Sequence, residues 1–262
     1  MTNRLATIHL QPRAGWLGWW PGLPAVLDPE NGRIRRFLEE EAARLAAGSR
    51  VLDASAGTRP YAALFCTQHY ESCDMPNGFY RCPHDFECHL DSIPRPDGSY
   101  DAVVLTQVLE HVPDPTIVLR ELARITRPGG KLLLSVPLNC PLHGEPWHFF
   151  NFTHHGLAEL AKNSQWRMVE CEKVGGAFWL LGKRMGELPG KLMKSVDPFR
   201  AGKRGQSVLA CLFWSLVLFP GWLLGAPLLR YVWRPMCYWL DLLDFDKSFT
   251  SGYTAVFERE RG

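Results

Sequence analysis

The chain has 262 residues, enough for one full α/β domain and an added element. A net charge of +2 argues against a bulk nucleic-acid binder, and 46% hydrophobic with 21% charged residues is the balance of a globular protein. Eight cysteines without a Cys-x-x-Cys pair fit a reduced, cytoplasmic chain rather than a disulfide framework, and the first residues carry no signal-peptide pattern.

Residues 1–27 read as an N-terminal aromatic arm. Gly15-Trp16-Leu17-Gly18-Trp19-Trp20-Pro21-Gly22 is too broken by Gly and Pro for a long helix. It either packs on the domain or forms an aromatic patch at a membrane interface, where Trp is favoured. From Asp28 to Ala47 the pattern is helical, with Ile34, Phe37, Leu38 and Leu45 in one stripe and Gly48 as the stop.

The chain is organised around Arg50–Gly57. Val51 and Leu52 form a short buried strand, Asp53 stands at its end, and Ala54-Ser55-Ala56-Gly57 allows a tight turn against a ligand. Thr58 as a cap and Pro60 in the first turn predict a helix from Pro60 to Cys66. A second strand, Tyr70–Cys73, ends at Asp74, which follows Asp53 by 21 residues. A carboxylate there accepts two hydrogen bonds from the cis-diol of a nucleoside ribose.

Residues 75–99 are irregular, with a short strand expected over Phe86–Leu90. Ala102–Thr106 is an apolar strand of the buried parallel type. Pro113-Asp114-Pro115 opens a helix with the stripe Ile117, Val118, Leu122 and Ile125, Pro128-Gly129-Gly130 stops it, and Lys131–Val136 is the fifth strand. A helix over Thr153–Ser164 and strands over Arg167–Val174 and Tyr253–Glu258 complete the pattern.

Five pieces of this series resemble the class I S-adenosylmethionine-dependent methyltransferases, in particular the methyltransferase type 11 subgroup. They are Val51-Leu52-Asp53; Asp74; Ile93-Pro94-x-x-Asp97-Gly98-Ser99-Tyr100-Asp101-Ala102-Val103; Val108-Leu109-Glu110-His111-Val112; and Leu122-x-Arg124-x-x-Arg127-Pro128-Gly129-Gly130. The resemblance covers residues 28–175 and resumes at the last strand. It implies an α/β fold with a Rossmann-like seven-stranded sheet, helices on both faces, and the last two strands paired antiparallel at one edge. It implies S-adenosyl-L-methionine as cofactor, with Asp53, Ala54, Ser55 and Gly57 at the methionine end, Asp74 on the ribose, and His89 and Leu90 beside the adenine. Gln107 and Leu109 would line the cleft. Two departures stand out: Ser55 and Arg59 replace the first and third glycines of the family turn, and His89 replaces an Asp, although a neutral imidazole nitrogen still accepts from the adenine amine.

Pro137–Thr153 follows the fifth strand, over the carboxyl edge of the sheet, and contains His143, Glu145, Trp147, His148 and Asn151. Methyl transfer aligns a nucleophile with a sulfonium methyl and removes any proton it carries. His143 and then His148 are the candidate catalytic bases. Both also read as packing residues at the start of the next helix, and Glu110-His111 reads as structural. Cys73, Cys82, His84, Cys88 and His89 lack zinc-finger spacing, so no metal is expected.

Some 75 residues separate the last two strands, far more than a hairpin loop needs. Within them, 181–246 is a basic and hydrophobic insertion, so the methyltransferase domain comprises 28–180 and 247–262. Its first half carries Lys183, Arg184, Lys191, Lys194, Arg200, Lys203 and Arg204, and Gly205–Leu229 then has no charge. The expectation is a bent helical pair, broken at Pro220-Gly221, that dips into one leaflet of a membrane with Lys/Arg and Trp at the headgroups. The function expected is methyl transfer to a lipid-like or lipid-linked acceptor by a cytoplasmic, peripheral or monotopic membrane enzyme. The alternatives are a soluble small-molecule methyltransferase whose insertion is a lid or dimer contact, and a non-catalytic cofactor-binding or scaffold protein.

Overall fold

The computed structural model describes residues 29–76, 82–201, 205 and 207–261; the N-terminal aromatic arm expected at 1–27 lies outside them. The chain divides into two compact units, Glu30–Val174 with Ser251 onward, and Gly175–Thr250.

The first unit is a seven-stranded sheet. Its strands are β1 (Arg50–Ala54), β2 (His69–Asp74), β3 (Phe86–Glu87), β4 (Tyr100–Thr106), β5 (Thr126–Pro137), β6 (Trp166–Val174) and β7 (Gly252–Arg259), in the order β3-β2-β1-β4-β5-β7-β6. Five strands run parallel, and β7 pairs antiparallel with both β5 and β6. The order reverses between β1 and β4, so the carboxyl ends of these two strands open the crevice where such sheets bind ligands.

Alternation along the strands builds two cores. Val51, Ala102, Val104 and Leu133 face α1 (Pro29–Arg44), which contributes Ile34, Phe37, Leu38 and Ala42. Leu52, Val103, Leu105, Leu132 and Leu134 face the other layer, formed by α2 (Pro115–Ile125) and α3 (His154–Lys162). Both faces of the central strands are covered, which is why they read as unbroken apolar runs rather than alternating ones. Asp114 caps α2 by accepting from the N–H groups of Thr116 and Ile117, and Thr153 caps α3.

Two expectations are corrected here. The helix expected from Pro60 to Cys66 is a single 3-10 turn, Ala62–Phe65, without a side-chain cap. Ser55, Gly57 and Arg59 all have left-handed φ angles, 60°, 55° and 58°, so the chain between the expected cap Thr58 and Pro60 winds away from a helical start and the turn that follows has no side-chain cap. The third strand is two residues long, because the chain turns back at His89, which bridges to Ser92.

The second unit is a helical hairpin. Its outgoing arm is α4 (Ala177–Ser195), followed by a short α5 (Pro198–Ala201). Its return arm is one helical stretch of 36 residues, Val208–Leu243, made of α6 (Val208–Leu228), a π turn at Leu229–Trp233, α7 (Arg234–Leu240) and a 3-10 turn at Asp241–Leu243. The break expected at Pro220-Gly221 is therefore absent: α6 continues as one helix through Pro220 and Pro227. The π turn precedes Pro235, and a wider turn relieves the clash of that ring with the Tyr231 carbonyl. The arms meet at Gly182, where a Cβ would lie 2.6 Å from Cβ of Cys237. Buried Asp241 ties the base of the hairpin by accepting from the N–H groups of Gly176 and Trp179 and pairing with Lys247 at 2.8 Å. Leu209, Leu216, Leu224 and most large side chains of α6 are exposed.

Candidate active site

The first half of the site is the turn after β1. Asp53 is buried, and the Tyr70 hydroxyl donates to its Oδ2 at 2.7 Å. Burial pushes the Asp53 carboxyl up to about 6, against the opposing pull of that hydrogen bond and of nearby Arg59. At the end of β2, the Asp74 carboxylate organises the turn. It accepts from Gly57 N–H at 2.9 Å, from Met75 N–H at 2.7 Å and from Ser55 Oγ at 3.3 Å. Ala56 N–H donates to the Cys73 carbonyl at 3.0 Å. The structure thus brings Asp53, Ala54, Ser55, Gly57 and Asp74 together at one strand edge. A carboxylate has about four lone-pair sites; these three bonds leave Asp74 little spare capacity unless the long Ser55 bond yields.

His84 was not singled out as a site residue by its spacing. Its side chain is buried, neither ring nitrogen has a partner, and Nε2 lies 3.8 Å from Asp74 Oδ2. His89 is exposed and Leu90 half-buried beyond β3. The segment from Ile93 to Asp97 that follows is fixed by α2. Arg124 donates to the carbonyls of Ile93 and Arg95 and pairs with Asp97 at 2.7 Å, while Glu121 accepts from Ile93 N–H at 2.7 Å. Cys73 and Cys88 contact each other through their side chains, which raises the Cys73 thiol and lowers that of Cys88.

The second half lies beyond β4 and β5. Gln107 has φ 54° and is held by Ser135, its N–H donating to the carbonyl at 2.9 Å and its Nε2 to Oγ at 3.3 Å. Next comes a 3-10 turn, Leu109–His111. Glu110 is fully buried, neither carboxylate oxygen has a hydrogen-bond partner, and burial pushes its carboxyl up to about 7. The loop after β5 returns over this turn, with Phe149 N–H donating to the Glu110 carbonyl at 2.8 Å. It places three imidazoles together: ring centres lie 4.7 Å apart for His111 and His143, 4.4 Å for His143 and His148, and 5.8 Å for His111 and His148. Burial and the two neighbouring imidazoles lower the pKa of His111, while its contact with the Trp147 carbonyl raises it. His143 and His148 were both anticipated in this loop. Their convergence on His111 was not, because 32 residues of chain separate His111 from His143 and only the β4–β5 pairing closes that gap.

A family model described as "Methyltransferase domain" matches residues 29–171, more than half of the chain. Among curated proteins, the chain is 60% identical over 38 residues to a ubiquinone biosynthesis O-methyltransferase of Xanthomonas oryzae pv. oryzae, covering 14% of this chain and 16% of that protein. It is 33% identical over 124 residues to a demethylmenaquinone methyltransferase of Mycolicibacterium vanbaalenii, covering 44% of this chain and 54% of that one. The chain thus spans a sixth to about half the length of these relatives. Among solved structures, the MccD protein aligns at TM-score 0.51 with 10% identity, covering 88% of this chain and 98% of that one. The YcgJ protein of Bacillus subtilis aligns at 0.50 with 13% identity, covering 88% of this chain and 100% of that one. At those identities the likeness speaks for the fold.

Proposed function

We propose that this chain, which belongs to the methyltransferase domain family, transfers a methyl group from S-adenosylmethionine to a lipid-like acceptor at a membrane surface. The cofactor and the reaction class come with the family. The acceptor and the membrane are our reading.

Asp53, Ala54, Ser55 and Gly57 would face the methionine end of the cofactor, with Asp74 on the ribose and His89, Leu90 and Gln107 around the adenine and the cleft. Two features support a donor with a cationic sulfonium: a buried carboxylate titrating near 6, and a turn whose small residues admit a ligand to the backbone. The second half of the cleft, beside the histidine cluster, would receive the acceptor and any proton it releases.

The single observation that carries the membrane reading is the return arm of the hairpin. It has 36 residues, and its most apolar 18-residue window has a mean hydropathy of 2.0 with only 6% of that window buried. At 1.5 Å per residue it is about 54 Å long, more than a bilayer's hydrocarbon core of about 30 Å. Yet both ends of the insertion meet the sheet at one place: Ser251 N–H donates to the Val174 carbonyl at 3.0 Å. The chain must return to the side it left, which favours lying in one leaflet over a single crossing. Lys183, Lys191 and Lys194 on α4 suit an anionic surface. The quinone-named relatives support an acceptor with lipid character.

Two measurements on the purified full chain test this. Calorimetry with S-adenosylhomocysteine reads the cofactor site, and flotation with anionic phospholipid vesicles reads the membrane. Binding and co-flotation support the reading. A folded protein that binds the cofactor product but stays at the bottom of the gradient sinks the membrane part and leaves a small-molecule methyltransferase.

A further inference from the structure

The cluster of Glu110, His111, His143 and His148 contains more chemistry than a base for methyl transfer needs. One ligand-capable atom from each of Glu110, His111 and His143 lies within 4.8 Å of the others. Their hydrogen bonds fix which nitrogens are available. His111 Nδ1 lies 2.5 Å from the Trp147 carbonyl. A carbonyl only accepts, so Nδ1 carries the proton and Nε2 presents a lone pair. That lone pair stands 3.9 Å from Glu110 Oε1. His143 Nδ1 lies 3.1 Å from the Pro141 carbonyl and 3.4 Å from Cys140 Sγ; donation from Nδ1–H to the carbonyl, the shorter contact, leaves its Nε2 bare. His148 is the opposite case: its Nδ1 accepts from His143 N–H at 3.4 Å, so its proton sits on Nε2, which is buried without a partner.

A carboxylate with no hydrogen-bond donor, the His111 Nε2 lone pair and the His143 ring therefore lie together, one ligand-capable atom of each within 4.8 Å of the others. Such a convergence of acceptors, in a setting that penalises unpaired charge, is stable when a proton or a cation occupies it. Neutral imidazoles oriented by Nδ1–H donation to a backbone carbonyl are the usual arrangement of metal-ligating histidines.

We propose that Glu110, His111 Nε2 and His143 Nε2 bind a divalent cation of the zinc class. Two histidines and one carboxylate leave at least one coordination position open, the pattern of a catalytic rather than a structural zinc site. Bonds of about 2.0–2.1 Å place ligand atoms about 3.4 Å apart, so no pair in the set closes by more than about 1.4 Å on binding. His143 supplies this movement, being exposed on its loop, whereas Glu110 is fixed in the interior. Gly144 permits the approach. Its φ is 62°, and a Cβ there would come within 3.2 Å of Cε1 of His111. The open position takes water, or the hydroxyl oxygen of an acceptor, and the His148 Nε2–H is available to donate to either.

This cation site deepens the methyl-transfer reading and rests on it only for the role of the cation. A hydroxyl bound at the open position loses its proton to water near neutral pH. Its oxygen then bonds to the sulfonium methyl carbon as the carbon–sulfur bond breaks, with the bonding pair going to sulfur to leave a neutral thioether. The acceptor class that follows is a hydroxyl-bearing one.

Cobalt(II) titration of the full chain, stripped with chelator and free of cofactor and acceptor, tests the site. Visible d–d absorption should saturate at one equivalent, with zinc displacing the cobalt. His143→Ala should weaken binding at least about 100-fold, since it removes a direct ligand, and Glu110→Gln should act likewise. His155→Ala, on an exposed α3 residue outside the cluster, should bind as the parent does. If Glu110→Gln fails to fold, His143→Ala carries the test alone, because His143 is exposed. Absence of the d–d band, or a His143→Ala protein that binds cobalt as tightly as the parent, overturns the proposal and leaves Glu110 and His111 sharing a proton. Because no methyl transfer is read, this outcome is separate from the failure of S-adenosylhomocysteine to bind.

Discussion

Asp74→Asn perturbs the cofactor turn with the least change of shape. In the parent, one carboxylate oxygen accepts from Gly57 N–H and the other from Met75 N–H and Ser55 Oγ. The amide keeps one acceptor oxygen and turns an NH2 group toward one of those backbone N–H donors. A hydrogen bond to a charged group contributes about 1.5–3 kcal/mol, so the turn loses roughly that much. A ribose diol that displaces the long Ser55 bond makes two such bonds to the same carboxylate and loses both in the variant. Taking about 1.5 kcal/mol each gives about 3 kcal/mol, which is about 100-fold in affinity at about 1.4 kcal/mol per decade. Calorimetry with S-adenosylhomocysteine reads the affinity, and urea unfolding of the same samples separates it from the stability loss. An Asp74→Asn protein that is folded and binds within about threefold of the parent would refute the placement of the ribose on Asp74.

Three further outcomes follow from the geometry. Asp53 has a folded-state value of about 6, above the ordinary carboxyl range, so its contribution to stability is fully present below about pH 4 and is lost as pH rises through 6. Asp53→Asn should remove about 3 kcal/mol of that pH dependence, and denaturant unfolding that showed the same change in stability between pH 4 and pH 7 in both proteins would contradict it. Gly182→Ala forces a Cβ to within 2.6 Å of Cys237 Cβ, an overpacking that should cost about 1–3 kcal/mol and speed proteolysis of the hairpin; unchanged cleavage would argue that the two arms part freely. Leu216→Lys with Leu224→Lys alters side chains 75% and 78% exposed, so thermal stability should hold while vesicle flotation is lost; flotation at the parent's level would remove α6 from the membrane contact.

Much of the sheet was legible because it is governed by short-range rules. Ala102–Thr106 is apolar without interruption because both faces of β4 are covered, and Asp114 announces α2 because a cap must accept from the first free N–H groups. The edge pairing of β6 with β7 came from the family resemblance, across the intervening insertion. Where local signals misled, backbone geometry had won over propensity. Thr58 and Pro60 are good helix openers, but the left-handed Arg59 between them takes the chain out of a helical start. Pro220-Gly221 looks like a break, yet the apolar helix runs through it.

The site was legible in halves. Asp53 and Asp74 declared themselves by spacing, because their separation is set by one β-turn-β unit. The pairing of Tyr70 with Asp53 left no signal, since it depends on where a side chain in β2 reaches across to β1. The same holds for the imidazole cluster. Glu110-His111 read as structural and His143 as a lone candidate base, and their meeting is a property of the loop after β5. The unpartnered Glu110 carboxylate is a cue that only the packed structure provides.

The central claim is tested most directly by incubating the full chain with S-adenosylmethionine labelled on its methyl group and a host lipid extract, then separating lipid from water-soluble products. The account predicts label in the lipid fraction, diminished by Asp74→Asn and by S-adenosylhomocysteine. Label confined to water-soluble products, from protein shown to bind the cofactor product, would contradict it.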